Sequence, residues 1–120
     1  MSKRKPIDYN SIPKKLQLFG RTIDVIDDTA NLSISRNYGE ARYGVNQIAL
    51  NTNIAGAKMN PEELKLTFIH EMLHFILNFT NYEQIIRDNQ KIDIEQFIEL
   101  MASGIFQYEK FSEYKTEIVG

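Results

Sequence analysis

A chain of 120 residues, 42% apolar and 25% charged, is sized for one hydrophobic core and reads as a single domain over residues 1–120. A net charge of -2 leaves no electrostatic footprint for nucleic acid, and the lack of cysteine excludes a disulfide framework and any thiolate metal site. No apolar segment follows the basic cluster Lys3-Arg4-Lys5, and no run is long enough to span a bilayer, so an intracellular, cytoplasmic protein with no membrane contact and a solvated N-terminus is expected.

Lys14 to Phe19, the turn Gly20-Arg21, and Thr22 to Ile26 read as a β-hairpin, with Leu16, Leu18, Ile23 and Val25 supplying the alternation. Asp27-Asp28-Thr29 breaks it. Leu32 to Ser35 is expected as a short strand and Asn37-Tyr38-Gly39-Glu40 as a turn. Arg42-Tyr43-Gly44-Val45 leads into Gln47 to Asn51. There Ile48 and Leu50 share one face, and the segment is expected to be an edge strand beside the helix that follows. Asn51 is read as a strand end.

Asn60-Pro61-Glu62-Glu63 is a helix start: Asn60 caps, Pro61 suits the first position and Glu63 gives a capping-box pattern. The helix should run to about Asn78. It is apolar on nearly every side, which places it in the middle of the fold. After a break at Asn78 to Asn81, Tyr82 to Arg87 reads as a short helical piece. Asp93 then caps a second long helix, Ile94 to about Lys110, with Ile94, Phe97, Ile98, Met101, Ile105 and Phe106 expected to face the core, and Phe111 beyond them.

Inside the first long helix stands His70-Glu71-Met72-Leu73-His74, holding the two histidines of the chain. Positions i and i+4 lie on one helical face, so both imidazoles can point at one ion. Glu71 can then reach a water on that ion as general base, the H-E-x-x-H arrangement of zinc hydrolases. Polar groups in so apolar a helix need a reason, because unpaired polar groups in a core are costly.

A catalytic zinc usually takes three protein ligands and keeps one position open. Without a third histidine or a cysteine, the remaining ligand is a carboxylate or water. Glu95 and Glu99, one turn apart on the second helix, are the candidates. Glu99 is preferred, because Ala102, Ser103 and Gly104 follow it and let that helix approach closely. Glu95 or Ser103 would then support the ligand from behind, and the opposite assignment, Glu95 as ligand and Glu99 behind it, stays open because spacing does not separate them. Tyr43, Tyr82 and Tyr108 are candidate donors to an oxyanion but are read first as half-buried tyrosines. Arg42 is read as a solvated surface arginine.

Thr67 to Leu77, followed by Ile98-Glu99-Leu100-Met101-Ala102-Ser103-Gly104-Ile105-Phe106-Gln107, resembles the small phage and mobile-element zinc metallopeptidases. These are minimal gluzincin-like domains related in pattern to the ImmA/IrrE-type peptidases. Members often read T-x-x-H-E-x-x-H-A-I-L and later V-E-x-L-A-N-G-L. The resemblance covers roughly Gln47 to Lys110. It implies His70, His74 and Glu99 as ligands of one zinc and Glu71 as catalytic base. Ser103 departs from the family's asparagine, and Phe75 from its alanine, which is expected to add bulk beside the site.

The expectation is therefore an α+β, zincin-like minimal domain, with a small antiparallel sheet packed on two long helices. Its function would be zinc-dependent hydrolysis of peptide bonds, on a peptide or protein substrate. The alternative is a metal-binding regulatory or interaction module without peptidase activity. A purely structural zinc is disfavoured, since structural sites are usually closed by four protein ligands and rich in cysteine.

Overall fold

The computed structural model describes the backbone of residues 5–6, 11–89 and 91–119, and the side chains of residues 11–89 and 91–109. Lys3 and Arg4, and the side chains of Lys110 and Phe111, lie outside them.

The chain opens with Lys5–Pro6 (β1), Lys15–Leu18 (β2) and Arg21–Asp27 (β3). β2 and β3 are the expected antiparallel hairpin, with Leu16 opposite Ile23. Phe19 and Gly20 both take positive φ (53° and 78°), the paired left-handed geometry that matches strand twist in a two-residue hairpin turn. β3 is long enough to hold β2 along its first half and β1 along its last two residues.

Leu32 to Ser35, expected as a strand, is instead part of a helix, Thr29–Ser35 (α1). Leu32 is 1% exposed and Ile34 is 83% exposed, so the two do not share a buried face as a strand would require. The expected turn at Asn37-Tyr38-Gly39-Glu40 is also corrected: Gly39–Arg42 is a strand, β4. A 3-10 turn at Tyr43–Val45 leads to Gln47–Leu50 (β5).

β5 is not an edge. It lies between β3, which it pairs in parallel (Val25 opposite Ile48), and β4, which it pairs antiparallel (Ala41 opposite Ile48). The sheet is thus mixed rather than antiparallel, and β4 is its edge. Both faces of β5 are buried: Ile48 and Leu50 on the main core, and Ala49 against Ile26 and Leu32 under α1. A small hairpin, Asn53–Ile54 (β6) with Ala57–Lys58 (β7), follows.

Pro61–Phe79 (α2) begins where expected. The Asn60 side chain accepts from the Glu62 N–H at 2.8 Å, and Glu62 and Glu63 place negative charge at the positive end of the helix. Thr80 closes it by donating its hydroxyl to the Ile76 carbonyl at 2.8 Å. Asn81, at φ 64°, turns the chain into Tyr82–Asp88 (α3). Ile94–Val119 (α4) starts at Asp93, whose carboxylate accepts from the Glu95 and Gln96 N–H groups at 2.9 and 3.2 Å.

The described residues form an α+β domain of a five-stranded mixed sheet, the two-stranded β6-β7 hairpin, four α-helices and the short 3-10 turn. α2 is the middle layer. Leu64, Phe68, Ile69, Leu73 and Phe75 meet Ile23, Val25, Ile48 and Leu50 of the sheet on one side and Ile94, Ile98 and Ala102 of α4 on the other. That double burial explains why α2 is apolar on nearly every side. Phe97 and Met101 of α4, expected in the core, are exposed; Ala102 takes their place in the stripe at i, i+4, i+8 from Ile94. No helix among the described residues is long and apolar enough to cross a membrane.

Candidate metal centre

α2 presents His70 and His74 on the face turned toward α4 and β4. Their ring centroids are 5.1 Å apart, as the i, i+4 spacing requires. Across from them, Glu95 in the first turn of α4 places Oε2 at 3.3 Å from His70 Nε2 and Oε1 at 3.2 Å from His74 Nε2. One ligand atom from each of the three residues falls within 4.8 Å of the others. At roughly 2.0–2.1 Å from zinc, two tetrahedral ligands stand about 3.4 Å apart, so a His-His-Glu group gathered this closely could hold a metal ion.

The group that gathers is therefore His70, His74 and Glu95, whereas the sequence preferred Glu99. The reason is axial. Glu95 sits at the start of α4, within reach of both histidines, and Glu99 lies four residues, about 6 Å, further along the helix. Glu99 still lines the same cleft, of about 470 Å³. Ala102 permits the close helix contact that was expected, but Gly104 faces open space and Ser103 does not line the cleft.

Glu71, 8% exposed, lines the cleft beside the histidines. Burial, reinforced by the negative charges of Glu95 and Glu40 and opposed by a hydrogen bond from the Ala41 N–H, pushes its carboxyl up to about 7. In a metal-free cleft it therefore takes and gives up a proton near neutral pH. His70 is held below its usual range by burial and by His74, against the pull of Glu95 and Glu99, which favours the neutral ring a metal requires.

β4 forms the third wall with Gly39, Glu40 and Ala41. The Asn51 N–H donates to the Tyr38 carbonyl at 2.9 Å, on the side facing β5. By strand alternation, the backbone groups of Gly39 and Ala41 point the other way, into the cleft. Arg42, expected in solvent, is largely buried and tied back, with Nη2 at 2.7 Å from Asp28 and Nε at 2.5 Å from Glu40. Tyr43 lines the cleft, and burial together with the charge of Glu83 keeps its phenol protonated well above the usual range. Tyr82 and Tyr108 are exposed and lie away from it. Phe75, expected beside the site, is in the core beneath Tyr43, edge-on at 5.1 Å.

Glu83 has no counterpart among the sequence expectations. From the second position of α3 its Oε1 lies 3.2 Å from His74 Nδ1. The one signal available was a carboxylate soon after the break that ends α2, and it gains meaning when Asn81 is known to turn α3 back under His74. Asn51 was also underestimated. Its buried side chain donates to Ser33 Oγ and the Asn37 carbonyl, both at 3.2 Å, and accepts from the Asn53 N–H at 3.1 Å.

No protein-family model, curated protein or solved structure matches this chain. The functional reading accordingly stands on the geometry of the cleft.

Proposed function

We propose that this chain is a metal-dependent peptidase, with His70, His74 and Glu95 holding one zinc ion and Glu71 acting as general base. The observation that carries the reading is the convergence of both Nε2 atoms on the two oxygens of Glu95, beside a buried carboxyl whose proton affinity is near neutral. The mixed sheet with α2 and α4 is then read as a zincin-like minimal domain.

Zinc, when bound, would acidify a water and offset charge on the carbonyl oxygen. Glu71 is the group beside the histidines able to take the proton from that water and return it to the leaving amine. The outward backbone groups of Gly39 and the Ala41 carbonyl offer pairing to an extended peptide, which would then run past Glu95 and past Glu71, to which the Ala41 N–H already donates. The edge available to substrate is then β4, not Gln47 to Asn51, which was expected to be the edge strand.

The test is cleavage of a peptide mixture by zinc-supplied protein, read by mass spectrometry. Glu71→Gln should keep fold and metal and lose at least about 100-fold in rate, the lower end for a general base. Cleavage undiminished in Glu71→Gln would refute the role. Metal binding without any cleavage would favour a regulatory metal-binding module.

A further inference from the structure

We infer that Glu83 is the positioning residue of the metal centre, a carboxylate carried by α3 that fixes the proton of His74 on Nδ1 and leaves Nε2 free for the ion. This rests on the metal-site reading above. The Glu83 side chain is 12% exposed, against 56% for Glu95. It faces three donors and the His74 ring, from three parts of the chain. Oε1 lies 3.2 Å from His74 Nδ1, 3.4 Å from the Tyr43 hydroxyl and 3.5 Å from Arg87 Nη2; Oε2 accepts from Asn78 Nδ2 at 3.3 Å. An ionised carboxylate has about two lone-pair sites on each oxygen, so Oε1 is fully engaged, Oε2 is held by Asn78, and the orientation of the group is fixed.

His74 thus has a carboxylate at each ring nitrogen, and a neutral imidazole has one proton to give. An ionised carboxylate accepts and does not donate. The contest goes to Glu83, because its oxygens are shielded from water and locked in place, while the Glu95 side chain is more than half exposed and can be solvated instead. Asn78 Nδ2 and Arg87 Nη2 can only donate, so the Glu83 oxygens they face act as acceptors. With Nδ1 protonated, the Nε2 lone pair points into the cleft at Glu95. The carboxylate–histidine–metal arrangement that results raises ligand basicity and fixes the ring plane. The short α3, exposed along much of its length, has the delivery of this one side chain as its clearest task.

Two measurements on the full chain test this. Nitrogen-15 imidazole NMR of the metal-free wild type at about pH 8, above the ordinary histidine range, should show His74 protonated on Nδ1, with His70→Gln giving the assignment. In zinc competition against a chromophoric chelator, Glu83→Ala should bind about 10–100-fold more weakly, and Glu83→Gln, which keeps an acceptor oxygen, should lose less. A wild type protonated on Nε2 would overturn the inference. So would a wild type that binds zinc no more tightly than Glu83→Ala. A merely structural Glu83 would lower the unfolding midpoint and leave the tautomer unmoved, which also overturns it. A wild type that binds no zinc sinks the metal-site reading instead, and the tautomer still decides the role of Glu83. Should Glu83→Ala fail to fold, the wild-type tautomer and Glu83→Gln carry the test.

Discussion

A methyl group placed on Gly39 would lie 3.1 Å from Cγ of Glu71 and 3.2 Å from its Oε2. β4 therefore runs against α2 at Gly39 with no room for a side chain, and Glu71, the proposed general base, is pressed between strand and helix. The same methyl would meet Thr67 Cγ2 at 2.8 Å, closer than real carbon contacts allow.

Gly39→Ala should accordingly push β4 away from α2. Overpacking of this kind costs about 1–3 kcal/mol. Urea unfolding should show that loss, and Thr67→Ser in the same background should recover part of it. The second change removes Cγ2 and keeps the hydroxyl that donates to the Glu63 carbonyl at 3.0 Å. An unchanged midpoint in Gly39→Ala would mean the strand does not sit as described.

Glu71 makes the stability of the metal-free protein depend on pH. Its carboxyl is raised from 4.5 to about 7, chiefly by burial and then by Glu95 and Glu40. Between those values the folded chain holds a proton the unfolded chain has released. Stability therefore falls as pH rises through that window, by an amount of order 3 kcal/mol at most. His70, held below 6.5, acts in the opposite sense but is common to both proteins when wild type is compared with Glu71→Gln. In chelator, wild type minus Glu71→Gln should slope downward from about pH 4.5 to 7. A flat difference would show that Glu71 is not desolvated.

The two candidate third ligands should separate by metal affinity. Glu95→Ala should weaken zinc binding at least about 100-fold, beyond the 10–100-fold typical of an outer partner, and Glu99→Ala less than about tenfold. The reverse order would restore Glu99 as the ligand.

Helix α2 and its motif were legible because their signals are local. Asn60 and Pro61 start the helix, the i, i+4 spacing aligns His70 with His74, and apolar residues on every side announce a middle layer. The hairpin was legible for the same reason, although its turn, read at Gly20-Arg21, sits one residue earlier at Phe19-Gly20. Three features were not. α1 spans 7 residues, too short for its periodicity to be told from alternation, so Leu32 and Ile34 read as a strand. β5 was taken for an edge because its partners, β3 and β4, are fixed by tertiary pairing and leave no mark on Gln47–Leu50 itself. The choice between Glu95 and Glu99 depends on how far along its axis α4 crosses α2, a distance that no spacing within α4 encodes.

Asn51 should prove a structural hub rather than a strand end. Asn51→Ala leaves the Asn37 carbonyl and the Asn53 N–H without the partners it provides, at a cost of about 1–3 kcal/mol. Chemical denaturation should register that loss, and it should leave zinc affinity within about threefold, since Asn51 does not line the cleft at His70 and His74. A stability equal to wild type would show these bonds to be replaceable by water.

The measurement that bears most directly on the account is the zinc content of protein purified without added metal and again after zinc is supplied, by mass spectrometry under non-denaturing conditions, for wild type and His74→Ala. About one zinc per wild-type chain, lost in His74→Ala, is the predicted result, as a single site with three protein ligands requires. A wild type that takes up no metal under either condition would contradict it, and would leave His70 and His74 as core histidines satisfied by Glu95 and Glu83.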